Sequence, residues 1–444
     1  MRSIAFSLRK ALLFFFFVEV RLWYAKLNNE VNMDKNQESI IEKNIVTALN
    51  VLKEFTATPG CGVTRFPFTE EAREACAYLK KRMEAVGLAV RMDNSGAVIG
   101  RLEGKSSATI MIGSHFDSVK HGGAYDGIAG VVCAIEVARL LQESGRELEY
   151  SLEVIATNDE EGARFNTGLF TGKVLLGQLT CEELKTQVDA EGVSVYQAME
   201  DFGLQPEQIA AHPRDDIKAF LEIHIEQGPV LEAKNKEIGI VDVIVGIKRA
   251  RIKINGRADH AGTMPMHMRQ DALEQAAKVI SKIGDRARLF RNCVATVGFM
   301  QVEPNIMNIV PQSVTFAVDI RGVDEETIMT QYYSLLADLD RMSLESGLTY
   351  EVEHLLYAQP VPMSESIKEQ LEISCINRQL EYMHLPSGAG HDAQIFGAQL
   401  PAAMLFVPSI GGRSHCPEEK SEARDLAKAV LVAYDGIVKM MDFC

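Results

Sequence analysis

The feature that most constrains this chain is a series of short apolar runs that each end in groups able to bind a proton or a cation. "ATIMIGSH", "YSLEVIATN" and "IKAFLEIHIEQG" read as strands, and helical patterns such as "GIAGVVCAIEVARLLQES" separate them. Alternation of this kind predicts an α/β domain on a mostly parallel central sheet. In such sheets, ligand sites gather in the loops at the carboxyl ends of the strands.

The stretch "GSHFDSVKHGGAYDGIAG" puts two histidines, two aspartates and five glycines just after the first run. His115 and Asp117, at i and i+2 of an extended segment, point to the same side. Asp126 falls where the following helix should begin. Taken alone, the stretch suits either a metal site or a polar turn. It does not suit a phosphate cradle: there is no GxxxxGK[ST], the glycines do not fit GxGxxG, and Asp126 would repel phosphate.

The second strand ends in "NDEEG", where Glu160 and Glu161 are adjacent. Paired acids are costly to hold together unless a cation or proton is shared, although a solvated acidic loop carries such pairs too. His224 interrupts the third strand, and His391 and His415 stand in later loops. Three successive strand ends that present His, Asp or Glu, with no cysteine among them, point to zinc, manganese, cobalt or nickel. The candidates exceed what one ion needs. A two-metal hydrolytic centre, with ions about 3.5–4 Å apart, would use them. Serine and cysteine nucleophiles fit poorly, because no GxSxG elbow occurs and no cysteine has a plausible loop histidine.

Composition narrows the partners. A formal net charge of −15 argues against nucleic acid. Eight scattered cysteines without a CxxC pair point to a reduced, cytoplasmic protein. The apolar run from Ala11 to Val18 is only eight residues long, too short to span a bilayer. Residues 1–33 read as an unstructured extension or a misassigned start, with "MDKNQESIIEKNI" opening the first helix.

At 444 residues the chain should form two or more domains. From Gly246 onward the pattern becomes β-α-β-β-α-β, the ferredoxin-like order. Residues 248–360 are therefore expected to form a smaller domain inserted into a catalytic domain of 34–247 and 361–444.

The segments "GSHFDSVKHGGAYDG", "NDEEGARF", "LEIHIEQGPVLE", "GRADHAGTMPM", "VEPNIMNIVP", "DIR", "SGAGHDAQ" and "SHCPEE" occur in one order from about Val63 to Glu419. In this they resemble the dinuclear metallohydrolases of the aminoacylase and carboxypeptidase group. The nearest branch is that of N-carbamoyl-L-amino-acid hydrolases, ureidopropionases and allantoate amidohydrolases. The resemblance implies two divalent ions per subunit (zinc, manganese or cobalt) with Asp126 bridging them. His115 and His224 would hold one ion, and Glu161 and His415 the other. Asp117 would orient His115, and Glu160 would be the general base.

The resemblance also implies that His260 stabilises the developing oxyanion, from the partner subunit of a homodimer. Asn305 and Arg321 would hold the carboxylate of a small anionic ureido acid, while Gln227 and the backbone at Gly390 would meet its ureido end. The inserted domain would serve as a lid and dimerisation surface. An aminoacylase or peptidase acting on N-acyl amino acids is the alternative within the same group. His121, His212, His267, His354 and His384 have no such match and read as surface or packing residues.

Overall fold

Strand β3 (Ser106–His115) is buried from Thr109 to its end, and β4 (Tyr150–Thr157) and β5 (Ile217–Ile225) are almost as dry. Sequences this apolar on both faces form strands only where a sheet is covered on both sides. The computed structural model describes residues 36–209 and 213–443, so the expected extension of 1–33 and His212 lie outside the described residues.

By internal contacts the chain divides into two compact units. The first takes in residues up to Gly239, Gln370–Met383 and everything from Leu405; the second takes in Ile240–Glu369 and His384–Met404. In the first unit, α1 (residues 36–52) and α2 (Glu70–Ala85) precede β1 (Ala89–Met92), β2 (Val98–Leu102) and β3. Here β3 pairs in parallel with both β4 and β5, while β1 and β2 extend the β4 edge antiparallel. This is a mixed α/β fold on a mostly parallel sheet core.

Between β3 and β4 runs α3 (Ile128–Ser144), buried on nearly every side from Ile128 to Leu141. Few helices in a globular protein are apolar all round, and such a helix must sit inside the fold. It lies against β3, β4, β5 and the C-terminal helix Ala423–Phe443. Two parallel strands flanking a crossover of this kind bring the ends of β3, β4 and β5 to the same side of the sheet.

The second unit contains a four-stranded antiparallel sheet. Its elements in chain order are β6 (Gly246–Asn255), α4 (Ala272–Ala287), β7 (Cys293–Glu303), β8 (Ser313–Gly322), α5 (Glu325–Ser346) and β9 (Thr349–Ala358). The strand order is β9-β6-β8-β7, with every neighbouring pair antiparallel. The inward residues of β6, Ala250, Ile252 and Ile254, pack with Phe316, Tyr332 and Leu335 in its core. Among the described residues no helix is long and apolar enough to cross a membrane.

The first unit's sheet also holds a buried charge. Glu153 on β4 is 1% exposed and meets Arg91 at 2.9 Å, Arg101 at 3.2 Å and Arg214 at 3.0 Å. Losing that carboxylate would leave partly exposed arginines without their buried acceptor, at a cost of about 1–3 kcal/mol. Glu153→Gln is expected to destabilise the chain on that scale, read as a lowered urea midpoint. Arg214 also grips Asp216, which accepts from Thr109 as well. Burial pushes the Asp216 carboxyl up, but Arg214 and Thr109 outweigh it and bring it down to about 2. The resulting stability is complete above the ordinary aspartate value of roughly 4 and is lost as pH falls through 2. Asp216→Asn should therefore flatten the acid limb of a Tm-against-pH profile.

Candidate metal centre

The carboxyl ends of β3, β4 and β5 carry His115, the Asn158–Glu161 turn and His224, all in the first unit. Asp126 arrives from the loop that leads into α3, and His415 from the loop before the C-terminal helix. The Asp126 carboxylate stands at their centre. Its Oδ1 is 3.6 Å from His115 Nε2 and 3.2 Å from His224 Nε2, and its Oδ2 is 3.1 Å from His415 Nε2. His415 Nε2 is also 3.2 Å from Glu161 Oε1, and His115 Nε2 is 3.9 Å from Glu160 Oε2. Donor atoms of His115, Asp126 and His224, and of Asp126, Glu161 and His415, come close enough to hold an ion in each group; those of His115, Glu160 and Glu161 form a third.

The imidazoles on one side are oriented by the main chain. His115 Nδ1 lies 3.0 Å from the Asp117 carbonyl oxygen, and His224 Nδ1 lies 2.8 Å from that of Ile225. Donation from Nδ1 leaves Nε2 as the lone-pair nitrogen in each neutral ring. These two nitrogens face each other at 3.4 Å beside a carboxylate. Lone pairs so placed repel unless a proton or a cation sits among them. A divalent ion fits this donor set, since neutral imidazole and carboxylate are ordinary ligands of zinc, manganese and cobalt. Glu161 Oε1 is buried 3.2 Å from His415 Nε2, a second carboxylate–imidazole pair of the kind seen at Asp126.

Electrostatics lead to the same conclusion. Burial pushes the Asp126 carboxyl up, but the three imidazoles more than offset it and hold it well below the usual carboxylate range. The bonds to Asp126 and Glu161 raise His415 to about 10. Burial opposes the charge on His115, yet Glu160, Asp126 and Asp117 raise it well above the ordinary histidine value. Without a metal these rings take up protons, so metal and protons compete for the same lone pairs.

The Asp117 carboxylate is 3.8 Å from His115 Nδ1, and its hydrogen bonds go elsewhere: it accepts the main-chain N–H of Glu160 at 3.1 Å and of Glu161 at 3.2 Å. It thus holds the acidic turn in place, while its carbonyl orients the ring. Gly127, at φ 63°, lies flat beneath that ring, and a Cβ there would come within 2.4 Å of His115. Only glycine fits. Gln227 Nε2 donates to Asp126 Oδ1 at 3.0 Å and Ser414 Oγ at 3.2 Å.

The remaining expected residues belong to the second unit. Exposed His260 accepts the Gly262 N–H on Nδ1 at 3.0 Å, so a neutral ring carries its proton on Nε2. Asn305 is exposed, with φ 57°. Arg321 is gripped by Asp319 through Nε at 2.9 Å and Nη2 at 3.2 Å, and Nη1 donates to the Gly388 carbonyl at 2.7 Å, two residues before Gly390. His391 is buried against Ser387, 2.9 Å away.

Two residues that support the centre escaped the sequence reading. Arg65 is fully buried and donates to the carbonyls of Phe116, Leu52 and Phe55, which braces the chain before Asp117. Burial lowers its guanidinium to about 10, while Asp117 acts in the opposite direction. Glu419 lies behind Asp126. A buried arginine has no local sequence signature; Glu419 had one, as the second acid of "SHCPEE".

Nitrogen and oxygen donors converging at the strand ends of an α/β sheet, with a further carboxylate beside them, define a metal-ion enzyme site. The chain belongs to Peptidase family M20/M25/M40, which it matches over residues 111–438. It is 39% identical to an N-carbamoyl-L-amino-acid amidohydrolase of Paenarthrobacter aurescens, over 93% of this chain and 100% of the relative. It is 36% identical to the allantoate amidohydrolase of Escherichia coli strain K12, over 85% and 93% of the two chains. Among solved structures it resembles an amidase of the hydantoinase/carbamoylase family from Burkholderia multivorans. That match has a TM-score of 0.84 and 30% identity, and covers 90% of this chain and 97% of the other.

Because two of the three donor groups share Asp126, added Zn²⁺ is expected to raise the Tm of chelator-treated protein, as any ligand selective for the folded state does. Asp126→Asn should abolish that rise in a thermal-shift titration. An equal rise in both proteins would show that the ion binds elsewhere.

Proposed function

We propose that this chain is a metal-dependent amidohydrolase that cleaves a C–N bond of ureido acids. Its substrates are N-carbamoyl-L-amino acids or allantoate, and it releases ammonia, carbon dioxide and the amino or ureido acid. One observation carries the reading: Asp126 is common to two of the three sets of metal-ligand donors, and Glu160, a member of the third, faces His115 at 3.9 Å. Chain-length similarity to N-carbamoyl-L-amino-acid and allantoate amidohydrolases supports the substrate class.

In this reading His115, Asp126 and His224 hold one ion, and Asp126, Glu161 and His415 hold a second. When bound, such ions supply Lewis acidity, activating water near neutral pH and polarising the scissile carbonyl. Glu160 takes the proton from the attacking water and returns it to the leaving nitrogen. Asp117 keeps Glu160 in reach by holding its main chain. His260, with its proton on Nε2, donates to the developing oxyanion. Arg321, presented by Asp319, binds the substrate carboxylate together with Asn305, since a planar guanidinium can do so bidentately. Gln227 and the Gly390 backbone meet the ureido end.

The same reading makes residues 248–360 a ferredoxin-like lid and dimerisation domain, inserted between catalytic segments 34–247 and 361–444. The β-α-β-β-α-β order and the strand order β9-β6-β8-β7 support it, as does a compact unit that contains Ile240–Glu369, although that unit also takes in His384–Met404. Exposed Phe299 and Met300 on edge strand β7, and Leu355 and Leu356 on edge strand β9, support a homodimer through this domain. The scattered cysteines support a cytoplasmic location.

Metal-stripped protein reconstituted with zinc, manganese or cobalt should release ammonia from N-carbamoyl amino acids or allantoate, and should leave N-acetyl amino acids intact. Glu160→Gln should keep its metal while kcat falls about 10²–10⁴-fold, the usual contribution of general acid–base catalysis. Full activity in that variant, or hydrolysis of the N-acetyl series alone, would overturn the assignment.

A further inference from the structure

Glu419 is 4% exposed and is no ligand of the centre, yet it touches both loops that form one side of it. Its Oε1 accepts the main-chain N–H of Tyr125 at 3.0 Å and of Asp126 at 2.9 Å. Its Oε2 accepts the Ser414 hydroxyl at 2.7 Å and the His415 N–H at 3.3 Å. A carboxylate offers about four lone-pair sites, and four donors occupy these. No lone pair is left for an ion, so any effect of Glu419 must pass through the residues it holds.

Those residues need holding. Asp126 and His415 are 289 positions apart in sequence and are supplied by separate loops. His415 adopts φ 55°, a left-handed backbone that a non-glycine residue keeps only when its surroundings impose it. The fit around Glu419 is tight, since a Cβ on Gly123 would lie 2.0 Å from Oε1. This explains the second glycine of "HGGAYDG", which the turn by itself does not require. By contrast, the rings of His115 and His224 are set by carbonyls of their own strand ends.

We propose that Glu419 is a positioning residue that fixes the separation of the Asp126 and His415 main chains. It thereby sets the affinity of the Asp126–Glu161–His415 ion site and leaves the His115–Asp126–His224 site mostly to its own supports. The inference rests on the two-ion reading above.

The test is a Co²⁺ titration of chelator-stripped protein, followed by the visible absorption of the bound ion. Wild type should take up two equivalents in resolvable steps. Glu419→Gln keeps the shape but places an amide N–H₂ against either the loop of Asp126 or that of His415. It should weaken one equivalent about 10–100-fold, the usual loss when a group supporting metal ligands is changed, with the other equivalent unchanged. Gly123→Ala, which displaces the carboxylate without altering it, should have the same selective effect. Glu418→Gln, at an exposed residue paired with Arg413, should have none. Two unchanged equivalents in Glu419→Gln would overturn the proposal alone. Loss of both equivalents together with a lowered apo-protein Tm would also overturn it, by marking a merely structural role. A single equivalent in wild type would overturn it together with the two-ion reading.

Discussion

The rest of the site depends on one buried carboxylate. Asp126 lies within 3.6 Å of three imidazole nitrogens supplied by three separate segments of the chain. In water such a group gains little from its neighbours. Inside a protein the low dielectric makes each charge far stronger, and an uncompensated one far more costly. That is why the protons of the metal-free rings and a bound cation are alternatives: something positive must lie between these groups. The same constraint explains the dense shell of supports, in which main-chain carbonyls hold His115 and His224, and Asp117 holds the Glu160–Glu161 turn.

A cluster of this kind works against folding by itself, and the sheet must offset it. Strands β3, β4 and β5 are nearly continuous apolar runs, and α3 is buried on almost all sides. At about 25 cal/mol per Å² of apolar surface removed from water, such a core can tolerate a costly edge. The polar groups are confined to the carboxyl ends of the strands, where chain reversals bring loops together. Stability and chemistry thus occupy different parts of the same strands.

Much of the site was legible in the sequence, for identifiable reasons. A buried parallel strand is an apolar run, so "ATIMIGSH" and "YSLEVIATN" identified themselves, and a His or Glu at the end of such a run stands out against it. The functional glycines were visible as a group but not one by one. Gly127 is needed because His115 lies on it, and Gly123 because Glu419 does; neither contact can be inferred from the turn alone. Arg65 was invisible, because an arginine buried among carbonyls looks like any other in sequence. The acid of Asp117 illustrates a finer limit. Spacing put it beside His115, but whether its carboxylate or its carbonyl would meet the ring depends on local torsions that spacing does not define.

The sequence by itself determined the α/β class, the placement of donors at strand ends and the chemical type of the centre. These follow from periodicity and residue chemistry, which are local properties. Only the tertiary structure decided that Gln227 donates to the Asp126 carboxylate and that Glu419 ties the Asp126 loop to that of His415. The contacts to Asp126 join residues 101 and 293 positions apart. Their distances are set by how the strands cross and how the core packs, so no local pattern in the chain can record them.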